Sequence, residues 1–121
     1  MKRKIILIAE DEDLLRCLYE EELKDSGYEV ITAKNGWEAL HRLEMENPNI
    51  VILDIAMPVM DGLEALRRIK GKRNGIPVVL HTAHPAYFSN GRARDADACL
   101  IKSGDLGELK EILSRLLDSP A

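Results

Sequence analysis

The sequence predicts an α/β fold: a doubly wound, five-stranded parallel sheet with helices on both faces. Three observations carry that expectation. Short aliphatic runs alternate along the chain with segments of helical apolar spacing, the pattern of repeated βαβ units. Three of those runs, Ile5 to Ala9, Ile50 to Asp54 and Val78 to Thr82, are almost continuously apolar, as strands covered on both faces must be. Capping-type residues also recur three positions ahead of a glutamate, at Asn35 and Glu38, Asp61 and Glu64, and Asp105 and Glu108, and mark three helix starts.

In chain order, Lys2, Arg3 and Lys4 lead into the first strand, Ile5 to Ala9. A basic start followed by an apolar run is also how a signal peptide begins, but Glu10 ends this run too early. Leu14, Leu15 and Leu18 then give a helical stripe read as a core face. The second strand is Glu29 to Ala33, and Trp37, Leu40 and Leu43 form the core face of the second helix. After the third strand, a helix from Leu63 to about Lys70 buries Leu63, Leu66 and Ile69. Beyond the fourth strand, Pro85 to Ala96 contains Ser89, Asn90 and Gly91 in a row, which shortens any helix there. The fifth strand is Ala98 to Ile101, and the last helix buries Leu106, Leu109, Ile112, Leu113 and Leu116. Five strands alternating with five helices through right-handed crossovers give the flavodoxin-like strand order 2-1-3-4-5, with the first, third and fourth strands central.

At 121 residues, with 45% hydrophobic and 31% charged residues and a formal net charge of -4, the chain reads as one globular domain, 1–121. The basic run Arg67, Arg68, Lys70, Lys72 and Arg73 falls among helical apolar positions and reads as a solvated helix face, so no direct nucleic-acid binding is expected. Nothing approaches the roughly 20 apolar residues that cross a bilayer, which points to a cytoplasmic protein without a membrane anchor. Cys17 and Cys99 have no CxxC spacing and no histidine cluster. Zinc and disulfide frameworks are excluded, and both cysteines are expected as buried small hydrophobes. The chain ends soon after its last helix, so no output domain is expected.

Ligands of doubly wound sheets bind at the carboxyl ends of the strands, near the switch point between strands one and three. There strand one delivers Glu10 and Asp11, strand three Asp54, strand four Thr82 and strand five Lys102. Any one of these alone reads as a turn or cap residue. Together they do not, because three carboxylates in one pocket repel by several kcal/mol at an effective dielectric near about 20. A dication and a lysine answer that repulsion, and magnesium with Lys102 fits.

Glu10-Asp11, the stretch from Val51 through Asp54 to Asp61-Gly62, Thr82-Ala83 and Lys102 resemble the motifs of response-regulator receiver domains of two-component signalling, of the chemotaxis-regulator type. The similarity runs in order through essentially the whole chain. It implies that Asp54 is the phosphoacceptor, that Glu10, Asp11, Asp54 and the Ala56 backbone carbonyl hold Mg2+, that Thr82 is the switch hydroxyl and that Lys102 pairs with the phosphoryl group. It further implies a sensor histidine kinase or phosphotransfer protein as donor, a downstream protein as target, no enzymatic turnover beyond slow self-dephosphorylation, and a domain that admits a homodimer. A carboxylate nucleophile carrying a phosphoryl group suits such chemistry, which demands in-line positioning and charge neutralisation.

Three departures from the family stand out. Cys99 replaces an aromatic three positions before Lys102, and Ser103 replaces the proline after it, so the Lys102–Ser103 peptide is expected trans. The stretch between Thr82 and Lys102 is also short. Two other readings compete: a phosphorylation-independent interaction module, whose signature is loss of an acid or the lysine, and a phosphohydrolase, which wants an acid where Ala56 stands. Neither signature is present.

Overall fold

The computed structural model describes residues 3–118. Its strands are β1 (Ile5–Ala9), β2 (Glu29–Ala33), β3 (Ile50–Leu53), β4 (Val78–Thr82) and β5 (Ala98–Ile101). All pair in parallel, in the order β2-β1-β3-β4-β5. The helices are α1 (Asp13–Asp25), α2 (Gly36–Glu46), α3 (Gly62–Lys72) and α4 (Gly107–Asp118). The doubly wound order and all five strand positions match the sequence reading, with β3 ending one residue earlier, at Leu53.

Five helices were expected, and four are present among the described residues. Between β4 and β5 the chain makes two 3-10 turns, Pro85–Ser89 and Gly91–Ala93. The break lies at Asn90, whose backbone is extended at φ -73° and ψ 130° and whose side chain accepts the Arg92 N–H. That local bond competes with a helical one, as asparagine does outside caps.

Strand residues alternate between two apolar layers. Leu7, Val51, Leu53, Val78 and Leu80 pack with Ala39 and Leu43 of α2 and Leu63, Leu66 and Ile69 of α3. Ile6, Ile8, Ile50, Ile52 and Val79 pack with Tyr19 and Leu23 of α1 and Leu109 and Leu113 of α4. Two of the helix starts are capped where read: Asn35 accepts the Glu38 N–H at 2.8 Å and Asp61 the Glu64 N–H at 2.9 Å. The third is displaced, since Asp105 accepts from Gly107 at 2.8 Å and the helix starts there.

Three expectations about burial are corrected. Leu14 is 82% and Leu18 47% exposed, and the sheet-facing side of α1 is instead carried by Tyr19 and Leu23. Trp37 is 60% exposed, because it lies roughly 100° round the helix from Gly36, off the arc of Gly36, Ala39 and Leu43 that meets the core. Cys17 and Cys99 are exposed, Cys99 because β5 is an edge strand whose alternate residues face outward. Among the described residues there is no cis peptide bond and no helix long and apolar enough to cross a membrane.

Candidate functional site

Parallel register builds the site. Ala9 pairs with Leu53, so the next residue of each strand, Glu10 and Asp54, emerges at the same level. The Asp54 N–H donates to the Ala9 carbonyl at 3.0 Å and the Glu10 N–H to the Ala33 carbonyl at 3.0 Å, which continues the sheet's bonding one step past the strand ends. Glu10 and Asp54 are only 2% and 6% exposed, Thr82 is fully buried, and Asp11 is exposed. Carboxylate oxygens of Glu10, Asp11 and Asp54 lie within 4.8 Å of one another.

Lys102 reaches this cluster from the end of β5. Its N–H donates to the Thr82 carbonyl at 2.8 Å, and its Nζ lies 2.5 Å from Glu10 Oε1 and 3.0 Å from Asp54 Oδ2. The remaining oxygens are also engaged: Glu10 Oε2 accepts the Glu12 N–H at 3.0 Å and Asp54 Oδ1 the Ile55 N–H at 2.8 Å. Burial pushes the Glu10 carboxyl up, and its bond to Lys102 only partly opposes this. For Lys102, burial alone would lower the ammonium, but its hydrogen bonds to Glu10 and Asp54 outweigh burial and raise it. One ammonium against three carboxylates leaves a net negative pocket of hard oxygen donors, which fits a small dication such as magnesium.

The loop after Asp54 is held by close backbone contacts. The Met57 and Gly62 N–H groups both donate to the Ile55 carbonyl, at 3.0 and 2.8 Å. A Cβ on Gly62 would lie 2.0 Å from the Asp54 carbonyl oxygen, so only glycine fits. The Gly36 N–H donates to the Met60 carbonyl at 2.9 Å and ties the start of α2 to the same loop. Within it Val59 has φ 68°, a left-handed backbone that β-branched residues rarely adopt. Ala56 is exposed on this loop, two residues past Asp54, and among the described residues no hydrogen bond engages its carbonyl.

The structure thus brings together Glu10, Asp11, Asp54 and Lys102, with Thr82 tied through its carbonyl to Lys102 and through Oγ1 to the His84 N–H at 3.2 Å. His81 is buried in β4, its ring 5.4 Å from that of Tyr19, and burial lowers it to about 4. One contributor escaped the sequence reading. Arg16 donates from a guanidinium nitrogen to the Glu10 carbonyl at 2.9 Å and pairs with Asp13, bracing the turn that carries the acids. The available signal was an arginine inside the Leu14, Leu15, Leu18 stripe.

The family description "response regulator receiver domain" matches residues 6–114. The chain belongs to that family. As a receiver domain it is a phosphoacceptor signalling module rather than a catalytic enzyme, and its acidic triad supplies the donors for the family's Mg2+. The response regulator protein TrrA of Thermotoga maritima, in complex with Mg2+-BeF, superposes with a TM-score of 0.92 at 42% identity, covering 94% of this chain and 99% of that one. The transcriptional regulatory protein PdtaR of Mycobacterium tuberculosis is 40% identical over 107 residues, 86% of this chain and 52% of PdtaR. The alkaline phosphatase synthesis transcriptional regulatory protein PhoP of Bacillus subtilis is 36% identical over 85 residues, 70% of this chain and 35% of PhoP. The receiver therefore spans a third to a half of the length of these two curated relatives.

Proposed function

We propose that this receiver takes a phosphoryl group from a histidine kinase onto Asp54, with Lys102 and Thr82 as the groups that answer the new charge. The observation that carries this reading is the buried Asp54 carboxylate, its Oδ2 3.0 Å from Lys102 Nζ inside the three-acid cluster. An Asp54 oxygen attacks phosphorus, the P–N bond to the donor imidazole breaks, and the imidazole keeps the electron pair. An aspartyl phosphate and a neutral histidine result. Lys102 follows the phosphoryl oxygens as they arrive, and the Thr82 hydroxyl turns toward them. Bound magnesium supplies the charge that lets donor and acceptor approach. Glu10, Asp11, Asp54 and the Ala56 carbonyl would hold it. Asp11, the exposed acid of the three, would be the direct ligand from the end of β1, and Glu10, held between Lys102 and the Glu12 N–H, would act through water.

A candidate surface for the kinase is α1, where Leu14 and Leu18 are exposed and Leu18 lines a pocket with Gly104, Asp105 and Leu106. TrrA has been crystallised in complex with the histidine kinase ThkA, which supports such a donor. Acetyl phosphate or a phosphorylated kinase is expected to label the protein once, only with a divalent cation, and not in Asp54→Asn. Undiminished labelling of Asp54→Asn, or labelling in excess chelator, overturns the assignment. Absence of any label would favour an interaction module, and rapid phosphate release a hydrolase.

A further inference from the structure

Helix α2 presents two faces. Gly36, Ala39 and Leu43 are buried. Trp37, His41 and Met45 follow at four-residue intervals along another side and form one ridge. The Trp37 and His41 rings stack with centroids 6.0 Å apart and planes 2° from parallel, and Met45 is 70% exposed. The ridge borders a groove of about 240 Å3 between α2 and α3, lined by Trp37, Leu40, His41 and Glu44 on one side and by Arg68 and Lys72 on the other. An isolated exposed hydrophobic residue needs no explanation, but an aromatic and thioether ridge beside a groove is the composition of an interface core.

The α3 wall is cationic. Arg67, Arg68 and Arg92 converge on the single carboxylate of Glu64, at 2.6, 2.7 and 3.3 Å, and Lys72 pairs with Glu44. Arg68 and Lys72 line the groove with Glu44; Arg67 and Arg92, which meet Arg68 at Glu64 behind it, bring the cluster to four cations against two carboxylates, an excess of two positive charges on a chain whose formal net charge is -4. Each guanidinium carries more N–H donors than one shared carboxylate can engage. The wall is therefore complementary to carboxylates brought from outside.

We propose that the α2–α3 groove docks a segment of a partner protein that is acidic and carries an apolar anchor. The anchor seats on Trp37 and His41, and the flanking carboxylates meet Arg68 and Lys72, with Arg67 and Arg92 behind them. Tryptophan and arginine are the residue types that most often dominate such contacts. A nucleic-acid strand fits less well. The charge excess is small beside the roughly six to ten phosphate contacts of a typical binder, and on the other side of Trp37 the cations Lys34 and Arg42 are balanced by Glu38 and Glu46. The proposal does not depend on phosphorylation of Asp54.

Trp37 is the chain's one tryptophan, so its emission reports occupancy of the groove. The probes are synthetic peptides with one leucine or phenylalanine anchor among glutamates, the same peptides with lysine in place of glutamate, and single-stranded DNA of similar length. The glutamate peptides are expected to shift the emission saturably while the lysine peptides do not. Arg68→Gln combined with Lys72→Gln, and the stronger Arg68→Glu with Lys72→Glu, should weaken that binding, the latter at least tenfold, and leave Asp54 labelling unchanged. Trp37→Ala, followed by anisotropy of a labelled glutamate peptide, should lose it as well. The proposal is overturned if no glutamate peptide saturates, if lysine peptides bind equally, or if the charge-reversed variant binds as well as the parent. Saturation by DNA alone, or a dimer that Trp37→Ala dissolves, would assign the surface to another occupant and equally overturn it.

Discussion

The β3 and β4 strands are buried along their whole length, whereas in β5 Cys99 and Ile101 face outward and the preceding segment consists of two 3-10 turns with Ala93 its one buried residue. The first region is pinned by two apolar layers and by a partner strand on each side. In the second, β5 has a partner strand on one side alone, and specific ties such as Lys70 Nζ to Asp97 at 2.8 Å and Arg92 to Glu64 at 3.3 Å hold the segment before it. Asp54 stands at the end of the rigid region and Lys102 at the end of the compliant one. The acids are thus held by packing on both faces and their counter-cation by a half-exposed edge strand, a division suited to a site whose charge changes when a group arrives.

The sharpest way to break this contrast is Gly62→Ala. A methyl 2.0 Å from the Asp54 carbonyl and 2.8 Å from Ile55 Cα has nowhere to go in a floor packed on both sides. A destabilisation on the order of 3 kcal/mol or more is expected in urea denaturation. An unchanged midpoint would mean that the floor yields as readily as β5.

The next largest effect is acid sensitivity from His81, inside the rigid region. Burial lowers its folded value to about 4, whereas an unfolded histidine titrates near about 6.5. The unfolded chain therefore binds this proton first as pH falls. The stabilisation is complete above the unfolded value and is lost on the way down to the folded one, a change on the order of 3 kcal/mol. Stability measured from pH 7 to pH 4 should show this slope and lose it in His81→Phe. An identical slope in that variant would place the acid sensitivity elsewhere.

The smallest effect sharpens the comparison from the compliant side. On beryllofluoride and magnesium binding, hydrogen exchange should change more in residues 83–95 than in 97–101, by an opening energy on the order of 1 kcal/mol. Cys99 is too small to carry the inward swing of an aromatic ring, while Tyr87 and half-buried Phe88 lie on the turns. Changes centred on Cys99, with none near Tyr87, would show that the signal travels through the strand instead.

The same contrast explains what was legible in the sequence. All five strands were readable because each is a short aliphatic run between breakers, and the strand-end acids followed from strand position alone. The fourth helix was readable only as weak, since Ser89-Asn90-Gly91 signals a break without saying what replaces it. Periodicity misplaced Leu14, Leu18 and Trp37 in the core, because spacing identifies residues sharing a face and not what lies opposite. In both helices these residues fall outside the buried arc, which Tyr19 and Leu23 set for α1 and Gly36, Ala39 and Leu43 for α2. The role of Arg16 depends on a backbone carbonyl six residues away, which no pattern of side chains encodes.

The pairing of Ala9 with Leu53 has a consequence for how this sequence can drift over generations. The separation of the two acids is written in backbone register, so aliphatic residues along β1 and β3 can exchange for one another with the spacing preserved. Insertion or deletion of a single codon in either strand would instead rotate every later side chain to the opposite layer and carry the acid out of the cluster. The site is tolerant of substitution along its supports and intolerant of any change in their length.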